Sequence, residues 1–529
     1  MPARRFNFPI APALAVFTAL VALLLYLPVR AFQFVGWDDF DLVRDNAWLH
    51  PASWDHLKLF WQHPCRNLYT PLAYTSWWLL IRLFGDPANA EAFHLFNLLL
   101  HIAAVALVFE ILRAICKSPW AAAAGALLFA VHPIQVEPIA WVSGMNNLLA
   151  AVFTLVAIRL HLCANESPKR RRLFATLALA AFALALLSKP TAVIAPLLAG
   201  ILDYFHTHRP LKRIAISLLP WAGLAILFSF IARNVQTELG PPLWLRPLIA
   251  GDTIAFYLAK IFWPIHFSID YARTPQFVRQ NQPYLYTVPI LAILAIILWL
   301  LRRRQPQLLT AFLLIIATLL PLLGFIPFSM QRYSTVADRY AYLAMLGPAL
   351  ALSIALTCTH SRMSWTAASL ALILLAAQAR AQIFNWRNTA ALANRTLQLD
   401  PHSTVGNKIL GFLLASENHY TAAATHYRAA LERAPDDGDL HYNLANSLLR
   451  INQLPHAIAE YQTAISYMHP PHSYLVMNNL GIAYATAGRP DLAEQEFRLV
   501  LAQDPTNTEA AANLAHLLAK AAATRPAPR

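Results

Sequence analysis

The chain has 529 residues, 58% of them hydrophobic and only 13% charged, a balance that a water-soluble protein does not sustain. That excludes a soluble enzyme and a disordered chain, and requires lipid over much of the surface. The net charge of +14 does not imply nucleic acid, because the basic residues sort by loop as they do in membrane proteins.

Apolar runs of about 20 residues, the length needed to cross hydrocarbon, recur from Ile10 to about residue 384. They predict about eleven helices, at 10–29, 91–112, 119–139, 145–163, 172–187, 190–204, 211–232, 283–301, 306–327, 338–357 and 364–384. Residues 248–266 read as a helix lying in the membrane interface. Arg4 and Arg5, Arg113 and Lys117, Arg159 and Lys169 to Arg172, Arg209 to Arg213, Arg302 to Arg304 and Arg362 fall in one alternating set of loops. These predict a cytoplasmic N-terminus, and the odd span count then puts the C-terminal end outside. The first run lacks a small-residue cleavage site and reads as a retained anchor. Four scattered cysteines argue against a disulfide framework.

Between the first two spans lies an external loop, 31–90, with six of the fourteen tryptophans. Indole rings favour the lipid–water boundary, so short interfacial helices are expected here. The loop opens on Phe34-Val35-Gly36-Trp37-Asp38-Asp39. Two acids at the membrane surface are costly unless used, although a solvated helix cap is the structural alternative. Asp41 and Asp45 read as solvated.

His132-Pro133-Ile134-Gln135-Val136-Glu137-Pro138 stands at the predicted outer end of the third span. Its two prolines free backbone groups that hydrocarbon does not tolerate, so the segment should line a protein cavity. Lys189 and Arg339 also fall at outer ends. They are candidates to hold a phosphate, the lysine as a point charge and the arginine as a bidentate fork, against the plainer reading of snorkelling.

After residue 385 the composition turns from Leu/Ile/Phe-rich to Ala/Asn/Glu/His-rich. Pro401 and Pro435 stand 34 residues apart, as do Pro471 and Pro505. Leu410, Gly411, Ala423, Tyr427 and Ala430 are echoed by Leu444, Ala445, Ala457, Tyr461 and Ala464, then by Leu480, Gly481, Ala493 and Phe497. This is the tetratricopeptide pattern. Its repeated residues are core, and its stacks bind extended peptides or partner proteins. The expected plan is all-α: a transmembrane bundle over 1–385, an α-solenoid over 386–520 and a disordered tail over 521–529.

Taken in order, Phe34 to Asp39 with Asn46, Asn67 with Pro71-Leu72, Phe93 to His101, Phe129 to Glu137, Leu187 to Pro190 with Asp203, and Ala337 to Tyr340 resemble the tetratricopeptide-repeat membrane proteins related to protein O-mannosyltransferases. These belong to the lipid-sugar-dependent GT-C glycosyltransferases, and the resemblance covers nearly the whole chain. It implies inverting transfer of a sugar from a polyprenyl-phosphate carrier to a protein hydroxyl at the outer face, with Asp38 or Asp39 as general base. Lys189 and Arg339 would stabilise the departing phosphate, and His132, Glu137, Asp338 and His94 would shape the substrate site. Some such enzymes use a divalent cation. Asp39, His132 and Glu137 are the donors on offer for Mn2+ or Mg2+. Where relatives often carry a basic and an acidic residue, this chain has Gly144-Met145-Asn146-Asn147, which leaves the donor sugar open.

Two other readings compete. A membrane-anchored scaffold for the repeats predicts tolerance of Asp38→Ala and Asp39→Ala. A lipid-sugar transporter predicts ionisable residues at the bilayer midplane, whereas those named here cluster at one end. Compact loops and the Ser188-Lys189-Pro190 variant favour a bacterial inner membrane, with the repeats periplasmic.

Overall fold

Most of the apolar runs form long helices, two of them with an internal proline, Pro220 and Pro289. A computed structural model of the chain describes residues 10–65, 68–85, 89–235, 240–359, 361–468, 470 and 472–523. Arg4, Arg5, Asn67 and positions 524–529 of the expected tail lie outside them. The described residues are helical, with no β-strand among them.

Among the described residues, eight helices are long and apolar enough to cross a membrane: Ile10–Ala31, Glu91–Cys116, Val142–Glu166, Pro168–Ser188, Leu211–Val235, Tyr284–Leu301, Asp338–Cys358 and Arg362–Trp386. Pro119–Val131 and Pro133–Ala140 make a ninth if counted together, although they bend by 54° at the His132-Pro133 step. The other two predicted spans are shorter than expected. Pro190 and Pro196 break 190–204 into a 3-10 turn and the eight-residue helix Ala195–Leu202. The helix that starts at Pro306 ends at Leu322. Helix Arg246–Phe262, read as interfacial, is not among the candidate spans.

Several spans are apolar all round and keep large residues on their outer surface. Tyr284–Leu301 exposes Ile290, Ile293, Ile296 and Leu300, and Leu211–Val235 exposes Ile226 and Phe230. Such faces require a hydrocarbon solvent, and the chain is a polytopic membrane protein.

The described part of the 31–90 loop holds two α-helices. Helices Trp54–Gln62 and Pro71–Phe84 pack Phe60, Tyr74, Trp77 and Trp78 with Phe34 and Val43. Phe60 stacks on Tyr74 at 4.3 Å.

The chain divides into two compact units, Met1–Ala391 and Leu392–Arg529. Within the second, Thr404–Ser416 pairs with Tyr420–Leu431, Gly438–Arg450 with Leu454–Tyr467, and His472–Thr486 with Pro490–Gln503, before a final helix Thr508–Ala523. The residues of the repeat pattern are its core, with Tyr427, Tyr461 and Phe497 buried. A Cβ added to Gly481 would come within 2.6 Å of the Phe497 ring, so the small residue sets how closely the paired helices approach.

Candidate functional site

The site is built where spans are interrupted. After the bend at Pro133, short turns carry the chain through Glu137 and Trp141 to Gly144 before the next long helix. The freed backbone groups are taken up by side chains. Gln135 Nε2 donates to the carbonyls of Phe129 (3.1 Å) and Tyr342 (3.3 Å), and Asn97 Nδ2 donates to that of Trp141 (2.8 Å). This is how broken helices persist inside a bundle.

Glu137 meets Arg339 in a buried ion pair. One carboxylate oxygen accepts from the Arg339 Nη1, and the other accepts from the Arg339 backbone N–H at 3.0 Å. The guanidinium lies 5.2 Å from the Trp141 ring centroid and 4.9 Å from that of Tyr340. Lys189 approaches Tyr340 from another element, 5.7 Å from its ring, and donates to Asn147 Oδ1 at 2.6 Å. Burial pulls the Lys189 ammonium down to about 7, Arg339 adds to that effect and Glu137 opposes it.

Lys189, Arg339, Tyr340 and Asn147 line one small cleft of about 50 Å3. The rest of its wall is mixed, with Ala150, Ala192, Ile194 and Leu322 beside Thr154 and Thr191. Two cations on one cleft wall can meet an anionic group.

The two acids after the first span separate in role. Asp39 is fully buried, accepting from the Val35 N–H (3.1 Å), the Ser143 N–H (2.9 Å) and the Ser143 hydroxyl (2.6 Å). Burial pushes its carboxyl up to about 7, while the bonds from Ser143 and Val35 pull it back. Asp39 ties the loop to the turn at Ser143. Asp38 is half-buried and interacts electrostatically with Arg339 and Tyr340. Asp38 is therefore the acid that addresses the cationic cluster.

Three expected site residues are not on the cleft wall, although Asp338 interacts electrostatically with Glu137 and Arg339. His132 Nδ1 accepts from the Ile134 N–H at 3.2 Å, so Nε2 carries the proton and donates to the Ile261 carbonyl at 3.1 Å. It splices backbone to backbone and has no nitrogen left for substrate. His94 is buried edge-on to Phe32 at 6.3 Å and is not on the cleft wall. Asp338 accepts from the Tyr271 hydroxyl at 2.6 Å, which braces the turn carrying Arg339. The donors named for Mn2+ or Mg2+ do not fit a metal. Asp39 is held by Ser143 and Val35, His132 by main chain and Glu137 by Arg339. Among the described residues no three His, Cys, Asp or Glu side chains gather to hold one.

Sequence reasoning missed the work of Ser143, Asn147 and Tyr271. Each is a single polar residue whose partner is distant in the chain. Only for Asn147 was there a signal, in the departure at Gly144 to Asn147.

Comparison with known proteins agrees with the motifs. The family model of dolichyl-phosphate-mannose-protein mannosyltransferases matches residues 62–235, and the tetratricopeptide-repeat model matches 413–470 and 444–508. Protein O-mannosyl-transferase Tmtc2 of Drosophila melanogaster is 35% identical over 35% of this chain and 21% of its own length. Human protein O-mannosyl-transferase TMTC3 is 20% identical over 91% of this chain and 60% of its own. The chain thus spans less than two thirds of either relative. The structure of ArnT from Cupriavidus metallidurans bound to undecaprenyl phosphate aligns at 15% identity over 92% of this chain and 80% of that one, with TM-score 0.36, too loose a likeness to carry weight. The matches relate the chain to tetratricopeptide-repeat membrane proteins of the protein O-mannosyltransferase kind.

Proposed function

We propose that this protein is a membrane glycosyltransferase that moves a sugar from a polyprenyl-phosphate carrier to a serine or threonine hydroxyl of a protein, inverting the anomeric carbon. Asp38 takes the hydroxyl proton as the acceptor oxygen attacks. The bond from the anomeric carbon to the phosphate oxygen breaks, and the polyprenyl phosphate leaves with the electron pair, its charge met by Lys189 and Arg339. Glu137 holds the guanidinium in place, and Asp38 and the cations act on opposite partners of one displacement.

The observation that carries this reading is the meeting of Lys189 and Arg339 on the wall of one cleft, with Asp38 within electrostatic range of Arg339. The named relatives make mannose the first donor to try. The loop charges support an extracytoplasmic site in a bacterial inner membrane, and the repeats would present the acceptor protein or a partner.

The test is complementation of a deletion strain with wild type, Asp38→Ala and Asp39→Ala at equal membrane abundance, reading glycan on membrane and secreted proteins by mass spectrometry. Wild type should restore a hexose-type mass that Asp38→Ala does not. Restoration by Asp38→Ala would leave the scaffold reading in its place.

A further inference from the structure

We infer that Thr389 is a positioning residue for Asp38, holding the backbone of the loop that presents it. The inference rests on the reading of Asp38 as the base.

The loop from Gln33 to Asp39 makes few hydrogen bonds of its own. The Gln33 N–H donates to the Arg387 carbonyl at 3.0 Å, and the Gly36 N–H donates to the Thr389 hydroxyl at 2.9 Å, across a sequence separation of 353 residues. On the other side of Asp38, the Asp39 carboxylate is fixed by Ser143. Asp38 therefore stands between two clamps, one made by Thr389 and one by Ser143.

Thr389 is buried, 6% exposed, so water does not readily replace its hydroxyl, and an unpartnered buried N–H is unfavourable. Nor is the hydroxyl needed to start its own helix, Thr389–Leu399. Asn388 does that, its Oδ1 accepting from the Ala391 N–H at 2.9 Å. The contact is also tight, so that a side chain at position 36 would push Thr389 or Phe40 aside by a few tenths of an ångström. A Cβ on Gly36 would lie 3.2 Å from both Thr389 Cγ2 and the Phe40 ring. A base that must meet a hydroxyl within hydrogen-bond reach loses rate steeply when displaced, roughly 100-fold for 1 Å.

The test uses the full chain in lipid nanodiscs and in the deletion strain. Hydrogen exchange over residues 32–40 is compared for wild type, Thr389→Val, which keeps shape and loses the hydroxyl, and Thr389→Ser, which restores it. Glycan is read in the same strains beside Asp38→Ala. The expected result is exchange at least tenfold faster in Thr389→Val, with a tenfold or greater drop in glycan, both returned toward wild type by Thr389→Ser. Unchanged exchange in Thr389→Val overturns the inference. Faster exchange with full glycan, while Asp38→Ala has none, also overturns it and leaves Asp38 as the base. Full glycan in Asp38→Ala removes the underlying reading and the inference together. If Thr389→Val does not accumulate, Gly36→Ala, which crowds the same hydroxyl, is read by the same criteria.

Discussion

Lys189 donates a hydrogen bond from its ammonium to the side-chain oxygen of Asn147 across 2.6 Å, so a neutral amide orients the half-buried cation of the cleft. A carboxylate in that place would neutralise Lys189 and repel a phosphate. Asn147→Asp should raise the KM for the lipid donor by tenfold or more, about 1.4 kcal/mol of binding, with little change in acceptor KM. Equal effects on both substrates would refute this role.

The same lysine makes donor binding depend on pH. With the ammonium held down to about 7 by burial and by Arg339, it is charged below that value and neutral above it. Donor KM should climb as pH rises through about 7, and Lys189→Arg, charged throughout, should lose most of that slope. A wild-type KM that stays flat from pH 6 to pH 8.5 contradicts the assignment.

Asp39 affects stability in a different way. Its carboxyl is raised to about 7 in the fold against about 3.9 when unfolded, so between those values the folded state binds more protons. Stability from this group is therefore full below about pH 4 and declines as pH rises toward about 7. Melting temperature measured along that range should fall less in Asp39→Asn. Ser143→Ala, which takes away the 2.6 Å bond, should cost about 1–3 kcal/mol at neutral pH.

Glu137→Ala leaves the Arg339 guanidinium buried without its carboxylate. Breaking such a pair costs about 3–5 kcal/mol, so the variant should melt well below wild type. Glu137→Ala with Arg339→Met should recover part of the loss without recovering glycan transfer. A double variant no more stable than the single would remove the pair from the account.

Gly481→Leu forces a side chain against the Phe497 ring and should destabilise the repeat unit by about 1–3 kcal/mol. Limited proteolysis should then cut first between residues 472 and 503. Unaltered cleavage would mean that the helix pair has slack.

Much of this was legible in the sequence, because long apolar runs and a 34-residue period are local signals. The bundle, the repeat core and the cations at Lys189 and Arg339 all follow from them. The span count was less legible, since prolines at 190, 196 and 321 interrupt runs whose composition alone suffices to cross. The difference in setting between Asp38 and Asp39 was not legible at all. It comes from Ser143, which lies 104 residues from Asp39 in the chain and has no motif of its own. His132 misled for a related reason: a histidine in a proline-rich turn looks like a ligand, but here the broken helix consumes both its nitrogens.

The clamp on the Asp38 loop also bears on where the membrane half can be separated from the repeats. A chain ended at residue 385, where the composition changes, would keep all the apolar runs yet lose the Arg387 carbonyl and the Thr389 hydroxyl that grip Gln33 and Gly36. Ended after Leu399, it would retain both. The modular border suggested by residue usage thus runs through the support of the loop after the first span, and swapping repeat arrays between relatives should respect the later boundary.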